Sequence, residues 1–229
     1  MLLHMFFPSK CVTCGSFGKV LCVSCKNSIK PVTQDSCIVC YRNSINGQTH
    51  EICKKTSFID NALAIIKYTG AGRDWIGVIK YKRAYSTISE VVSIFPQSWI
   101  QKFKKITQYY TNALIVPIPL HKQREKARGF NQSKKIAKEF SKITNIPTSC
   151  VLLRVINTPQ QAKQPTKNTR KENIKGAFIL KQGQVVKNKT IILIDDLYTS
   201  GCTAQEAAKI LKIAGAKTVL LFTLAHGKV

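Results

Sequence analysis

Two sets of residues in this chain have the types and spacing that chemistry requires. The first is a run of paired soft ligands: Cys11 and Cys14, Cys22 and Cys25, Cys37 and Cys40, then His50 and Cys53, each pair separated by two residues. A gap of two lets both side chains of one tight turn reach the same tetrahedral ion, and two such turns complete four-coordination. Four pairs therefore imply two zinc ions. The simplest pairing is sequential, with Cys11, Cys14, Cys22 and Cys25 on one ion and Cys37, Cys40, His50 and Cys53 on the other; spacing alone also allows an interleaved pairing. No place is left for water, so the ions are expected to be structural. His50 is the weakest ligand of the eight, because a lone His is usually a surface residue and only its spacing from Cys53 argues otherwise. Cys150 and Cys202 stand apart and read as small apolar residues.

The second set lies in Ile191 to Thr203, IILIDDLYTSGCT. Four large apolar residues suit a strand buried on both faces, and Asp195 and Asp196 follow where that strand should leave the sheet. Ligands of open parallel sheets bind at that carboxyl edge. Thr199, Ser200, Gly201 and Thr203 then make a short turn leading into a helix. Gly201 allows close backbone approach, and successive N–H groups, the helix dipole and the hydroxyls favour a phosphate monoester. A phosphorylated sugar would give its phosphate to the turn and its vicinal hydroxyls to the two carboxylates. An apolar strand ending in acids also occurs where magnesium is held in ATP-hydrolysing enzymes, but no G-x-x-x-x-G-K-[ST] loop is present: Gly215-Ala216-Lys217-Thr218 has only its tail, and position 210 is Ile. Thr203-x-x-Glu206 also reads as a capping box for the following helix.

The elements that must position these residues fall into two parts. Residues 1–57 carry the ligand pairs and too few apolar residues to bury a core unaided, so metal would supply their folding energy. Residues 58–229 alternate strand and helix patterns, predicting strands at 62–68, 113–116, 177–180, 190–194 and 218–224. Helices are predicted near 72–95, 98–110, 131–140 and 203–214, the last stopped by Gly215. Strands alternating with helices imply an α/β domain with a mainly parallel sheet and helices on both faces. Residues 156–175 are polar, hold two prolines and lack periodicity, which predicts a functional loop or lid.

The 229 residues carry 36 Lys+Arg against 11 Asp+Glu, a formal charge of +25, with 44% hydrophobic residues. That apolar content excludes a disordered polycation, and the charge favours phosphate-rich partners. Lys outnumbers Arg 29 to 7, a usage that an AT-rich genome would also produce. The start, MLLHMFFPSK, is too short for a signal-peptide core, and nothing approaches the roughly 18 apolar residues of a spanning helix, so a cytoplasmic protein without a transmembrane segment is expected. Thiols there would stay reduced, so disulfides are a poor account of the cysteines.

IILIDDLYTSGCT resembles the fingerprint of the type I phosphoribosyltransferases, an apolar run, two acids, then T-[ST]-G-x-T. The chain as a whole is similar to the competence protein F family, in which cysteine pairs precede a phosphoribosyltransferase-like domain. The further matches are Tyr68, Arg73, Ile79 to Lys82, Val116 to Leu120, Arg128 to Gln132, Arg154, Thr158, Gln161, Arg170, Asn173 and Gly176 to Phe178; His50 departs from the usual Cys.

The resemblance implies a five-stranded, mainly parallel sheet binding phosphoribosyl pyrophosphate with magnesium. Thr199, Ser200, Gly201 and Thr203 would hold the 5-phosphate, and Asp195 and Asp196 the ribose hydroxyls, in the catalytic place. The pyrophosphate would lie by the loop after Pro119, near Arg128 and Gly129. It further implies DNA uptake in natural transformation, with single-stranded DNA and a DNA-uptake helicase as partners, in the cytoplasm or at the inner-membrane periphery. The expected function is therefore a competence-type protein handling single-stranded DNA with a phosphoribosyl pyrophosphate pocket. The alternative is an active phosphoribosyltransferase acting on an unidentified base or amine. The charge between residues 121 and 189, where 17 Lys+Arg less 3 Glu leaves +14, supports the first reading. Phe130, Phe178 and Tyr198 are the candidate base-stacking aromatics.

Overall fold

The computed structural model describes residues 9–81, 87–92, 97–110, 112–158 and 167–227. Lys82, Gln161 and the apolar start at residues 1–8 lie outside the described residues. Strands β1 (Asn61–Lys67), β2 (Ala113–Pro117), β5 (Thr190–Tyr198) and β6 (Thr218–His226) form one parallel sheet in the order β1-β6-β5-β2. Strands β3 (Leu152–Arg154) and β4 (Phe178–Leu180) pair antiparallel as a separate ribbon. The sheet is α/β and parallel as expected, but among the described residues it has four strands where the resemblance implies five. The fifth place, beside β2, is taken by residues 147–149, which make a single parallel bridge between Ile115 and Thr148. Pro147 accepts from Ile115 N but has no N–H to continue a ladder.

Strand β5 is the centre of the domain. Ile191, Ile192, Leu193 and Ile194 are fully buried, and their side chains alternate between two apolar clusters on opposite faces of the sheet. One face is covered by α1 (Val23–Asn27), α3 (Gly70–Val78), α4 (Thr87–Val92), α5 (Gln97–Thr107) and α7 (Gln132–Thr144). There Trp99 stacks on Phe103 at 5.4 Å, and Phe140 and Phe222 meet Phe103 edge-on at 4.8 and 4.2 Å. Each such buried ring contributes about 1.5–3 kcal/mol through its area alone. The other face is covered by α9 (Cys202–Ile213) and the β3–β4 ribbon. Helix α2 (Glu51–Lys54) belongs to the cysteine-rich part.

Three elements of residues 58–229 were not legible in the sequence. Helix α6 (Lys122–Arg128) has no buried residue and hence no apolar stripe to betray it. Helix α8 (Lys167–Ile174) occupies part of the stretch expected to be loop; its single apolar residue, Ile174, is buried. Strand β3 is three residues long. Among the described residues no helix is long and apolar enough to cross a membrane.

The cysteine-rich part is joined to the sheet by backbone bonds along β1. Val32 N donates to Ile65 O, Lys67 N to Lys30 O and Thr49 N to Asp60 O, at 2.7–2.9 Å. Cys11, Leu21 and Cys25 pack into one face's cluster, and Ile38 into the other's. A segment poor in apolar residues thus borrows the domain's core.

Candidate functional site

The sheet topology fixes where the two carboxylates stand. Strand β2 runs beside β5 only as far as Pro117, opposite Ile194, where Ile118 N still donates to Ile194 O at 2.9 Å; β6 stays paired to Tyr198. Asp195 and Asp196 therefore remain in the strand but lose their neighbour on one side, and a cleft opens there. Helix α7 closes over it from its first turn. Asn131 caps that helix, accepting from Ser133 N at 2.9 Å while its own amide donates to Ile118 O at 3.0 Å. Ser133 Oγ then donates to Asp195 Oδ1 at 2.9 Å, and Gln132 Nε2 to Asp196 Oδ2 at 3.3 Å. Lys80 Nζ stands 3.9 Å from Asp196 Oδ2. Burial, followed by the Asp196 charge, pushes the Asp195 carboxyl up to about 8, against the lowering effect of Ser133.

Beyond the carboxylates the chain turns through Thr199 and Ser200 to Gly201, which has φ +73° and ψ 0° and stands at the head of α9. Only glycine holds that left-handed conformation cheaply, and it starts α9 with Cys202, Thr203 and Ala204 on the lining of the cleft. Gly201 itself is the cap, and Thr203 makes no capping bond. The expected capping box is therefore absent: Glu206 Oε1 instead accepts from Gly176 N at 2.8 Å, tying the start of β4 to α9.

Opposite the turn stands a cationic wall. The cleft, about 160 Å³, is lined by Lys80, Arg124, Arg128 and Arg154 as well as by Asp195, Asp196, Thr199, Ser200, Gly201 and Thr203. Arg154 is 9% exposed; its Nη2 donates to Thr158 Oγ1, and among the described residues its Nε has no partner. Burial and then Arg124 lower its pKa to about 10. Arg170 Nη1 donates to Thr199 Oγ1 at 3.3 Å, bringing α8 to the turn. The structure thus brings together every residue expected here except Gly129, which is the left-handed C-cap of α6 and does not line the cleft. Arg124 and Ser133 belong to no expected motif; the Asn cap two residues before Ser133 was the available signal. Of the candidate stacking aromatics, Phe178 and Tyr198 are buried at 1% and 5% exposure, which removes them as base platforms, whereas Phe130 is half-buried.

The eight soft ligands form two clusters in the sequential pairing, each with its four ligand atoms within 4.8 Å of one another. In the first, Cys14 and Cys22 Sγ lie 3.7 Å apart, close to the edge of about 3.8 Å that a tetrahedron with Zn–S near 2.3 Å requires. In the second, His50 Nδ1 is 3.3 Å from Cys40 Sγ, while Nε2 lies 3.1 Å from Asn43 O. A proton on Nε2 donated to that carbonyl leaves the Nδ1 lone pair facing the cluster, the usual arrangement of a metal-bound imidazole. The donor sets fit two structural zinc ions. Cys202, expected as an ordinary apolar residue, is buried with its Sγ 3.3 Å from Ser200 Oγ.

Residues 2–57 match the double zinc ribbon domain, and residues 126–228 match the phosphoribosyl transferase domain. The fold is that of a type I phosphoribosyltransferase-like protein carrying an N-terminal zinc ribbon module. The chain is 30% identical over 215 residues to competence protein ComFC of Bacillus subtilis, covering 89% of this chain and 83% of that protein. It is 25% identical over 236 residues to competence protein ComFC of Streptococcus pneumoniae, covering 94% and 99%. The DNA utilization protein YhgH of Shigella flexneri is 29% identical over 110 residues, 48% of each chain. The chain belongs to the competence protein ComF family.

Proposed function

We propose that this protein handles single-stranded DNA in competence-type DNA uptake and binds phosphoribosyl pyrophosphate, with magnesium, in the cleft at the end of β5. Its relatives' names, competence protein and DNA utilization protein, support the process. The pocket reading rests on one observation: a phosphate-type turn, a carboxylate pair and four cationic side chains share one cleft. A ligand satisfying all three must carry phosphate at one end, hydroxyls in the middle and further negative charge at the other. The N–H groups at the head of α9 with Thr199, Ser200 and Thr203 take the 5-phosphate; Asp195 and Asp196 accept from the ribose hydroxyls; Arg124, Arg128 and Arg154 face the pyrophosphate. Magnesium neutralises the pyrophosphate and is bound largely through the ligand's oxygens and water. In this reading residues 1–57 are the zinc ribbon module and residues 58–229 the ligand-binding domain, with a DNA-uptake helicase as the natural protein partner.

Calorimetric titration with phosphoribosyl pyrophosphate and magnesium, with and without a single-stranded oligonucleotide, tests both halves. Saturable binding of each is expected; absence of heat with the sugar phosphate removes the pocket assignment. The second reading, an active transferase, is favoured by the intact carboxylate pair. Carboxylate charge beside the ribose could stabilise positive charge on the sugar as pyrophosphate leaves. Acceptor-dependent release of pyrophosphate, lost in Asp195→Asn, is its expected signature.

A further inference from the structure

We propose that the second zinc knuckle is a wall of the phosphate turn, with Ile38 as the positioning residue that holds Gly201 in place. Ile38 lies between the ligands Cys37 and Cys40 and is 2% exposed. A Cβ added to Gly201 would stand 3.1 Å from Ile38 Cδ1 and 3.3 Å from its Cγ1. Gly201 is the left-handed residue that starts α9 at the cleft, and the side chain packed on it comes from the ribbon.

Three neighbouring contacts make the junction more than a single touch. Ile38 shares one buried apolar cluster with Tyr198, two residues after the carboxylate pair, and with Cys202 and Ala204 at the head of α9. Tyr198 is stacked on His226 of β6 at 4.2 Å. On the far side, Gln205 in the first turn of α9 accepts from Phe58 N at 2.9 Å and donates to Ser57 Oγ at 2.7 Å. Ile38 and Val39 also line one cavity together with Ser200, Cys202 and Gln205. The ribbon therefore grips the turn from the end of β5 to the first turn of α9.

A knuckle keeps its shape only while both of its thiolates are tied to one ion, because so short a loop has no core of its own. The metal of the second cluster thus fixes the position of Ile38, and Ile38 fixes Gly201. The first cluster packs with α3 and β1 on the opposite face of the sheet and makes no such contact. The two zinc sites therefore differ in role: the first holds the ribbon to the domain, and the second belongs to the ligand site.

The test uses the full zinc-loaded chain and two readouts, amide hydrogen exchange over residues 199–205 and affinity for phosphoribosyl pyrophosphate with magnesium. Ile38→Ala is expected to speed exchange in that segment and weaken binding by about tenfold, within the usual range of coupling between sites. Ile38→Val, which keeps most of the side chain, should fall between it and the wild type. Gly201→Ala should cost less affinity in the Ile38→Ala background than alone, since the crowding at 3.1 Å is then gone while the φ penalty stays. Cys14→Ser, in the first cluster, should leave exchange at residues 199–205 unchanged and His50→Ala should not. Unaltered exchange in both Ile38 variants, or strictly additive effects of the two substitutions, would overturn the proposal. The affinity arm rests on the ligand proposed above; if the wild type binds no phosphoribosyl pyrophosphate, that reading fails, and the exchange arm still decides this one.

Discussion

Asp195 and Asp196 occupy adjacent positions in a largely buried strand, and that placement has a consequence for pH. Burial and the neighbouring charge hold the Asp195 carboxyl near 8 rather than at its ordinary 3.8. The folded chain therefore keeps a proton that the unfolded chain has already released across the window between those values. Stability is greatest below that window, falls as pH rises through it, and levels off above about 8. Asp195→Asn keeps the neutral shape and removes the titration. Its stability relative to the wild type should grow by at least about 1 kcal/mol between pH 5 and pH 8.5 in urea unfolding; a constant difference would show that this carboxyl does not titrate there. Ligand hydroxyls donating to the pair favour its ionised form, so affinity for the sugar phosphate should rise over the same window. Arg154 supplies a second test at this scale. Among the described residues its buried Nε has no hydrogen-bond partner, and it lines the cleft together with Arg124 and Arg128. Arg154→Gln should weaken phosphoribosyl pyrophosphate by about tenfold, a charge-assisted hydrogen bond's worth, and ribose 5-phosphate much less. Equal losses would place the arginine away from the pyrophosphate.

Element boundaries explain both what could be read from the sequence and what could not. IILI announces β5 because a strand buried on both faces has no polar side, and Ile136, Ala137 and Phe140 announce α7 by their shared face; all are fully buried. The ligand pairs announce the zinc clusters because the chemistry demands that spacing. By contrast α6 and α8 are polar helices, and Thr203-x-x-Glu206 looks like a capping box although Gly201 performs the cap. In each of these cases tertiary contact, not local pattern, decides the outcome. The arrangement of the cleft was also illegible: nothing in the sequence links Ser133 to Asp195 or Ile38 to Gly201. Asp60 shows how such long-range contacts join elements. Its Oδ2 accepts from Val219 N at 2.7 Å and lies 2.8 Å from Lys212 Nζ, so one carboxylate fastens the entry of β1 to the start of β6 and the end of α9. Asp60→Ala strips the N–H of the buried Val219 of its partner and should cost about 1–3 kcal/mol in chemical unfolding. Lys212→Ala, which removes a partly exposed ion pair and an exposed bond to Lys217 O, should cost under about 1 kcal/mol. A reversed order would mean that charge pairing, not the backbone bond, secures the junction.

At the scale of the whole molecule the net charge of +25 must be divided between a confined site and a surface. The cleft accounts for little of it: Lys80, Arg124, Arg128 and Arg154 face Asp195 and Asp196, and a single pyrophosphate-bearing ligand satisfies them. The greater part lies outside: residues 121–189 carry +14, from 17 Lys+Arg less 3 Glu, and of those cations Arg124, Arg128 and Arg154 line the cleft. Helix α6 has no buried residue, and its Lys122 and Lys126 are exposed and available to a polymer. A surface of this kind binds a strand by displacing condensed counterions, which makes its affinity fall linearly with the logarithm of salt, by about 0.7 per phosphate contacted on a single strand. The enclosed site loses less, because few ions are displaced and its charges are partly screened from solvent. Raising salt from about 50 to about 200 mM should therefore weaken an oligonucleotide by orders of magnitude and the sugar phosphate by a few-fold at most. Replacing Lys122 and Lys126 on the exposed face of α6 by Gln should reduce the salt slope for DNA by about one to two units and leave sugar-phosphate affinity within about twofold. Fluorescence anisotropy with a labelled oligonucleotide and calorimetry with the sugar phosphate read the two arms separately. If both ligands lost affinity in parallel with salt, or competed for binding at saturation, the strand's phosphates would be occupying the cleft itself, and the division into two anion sites would have to be given up.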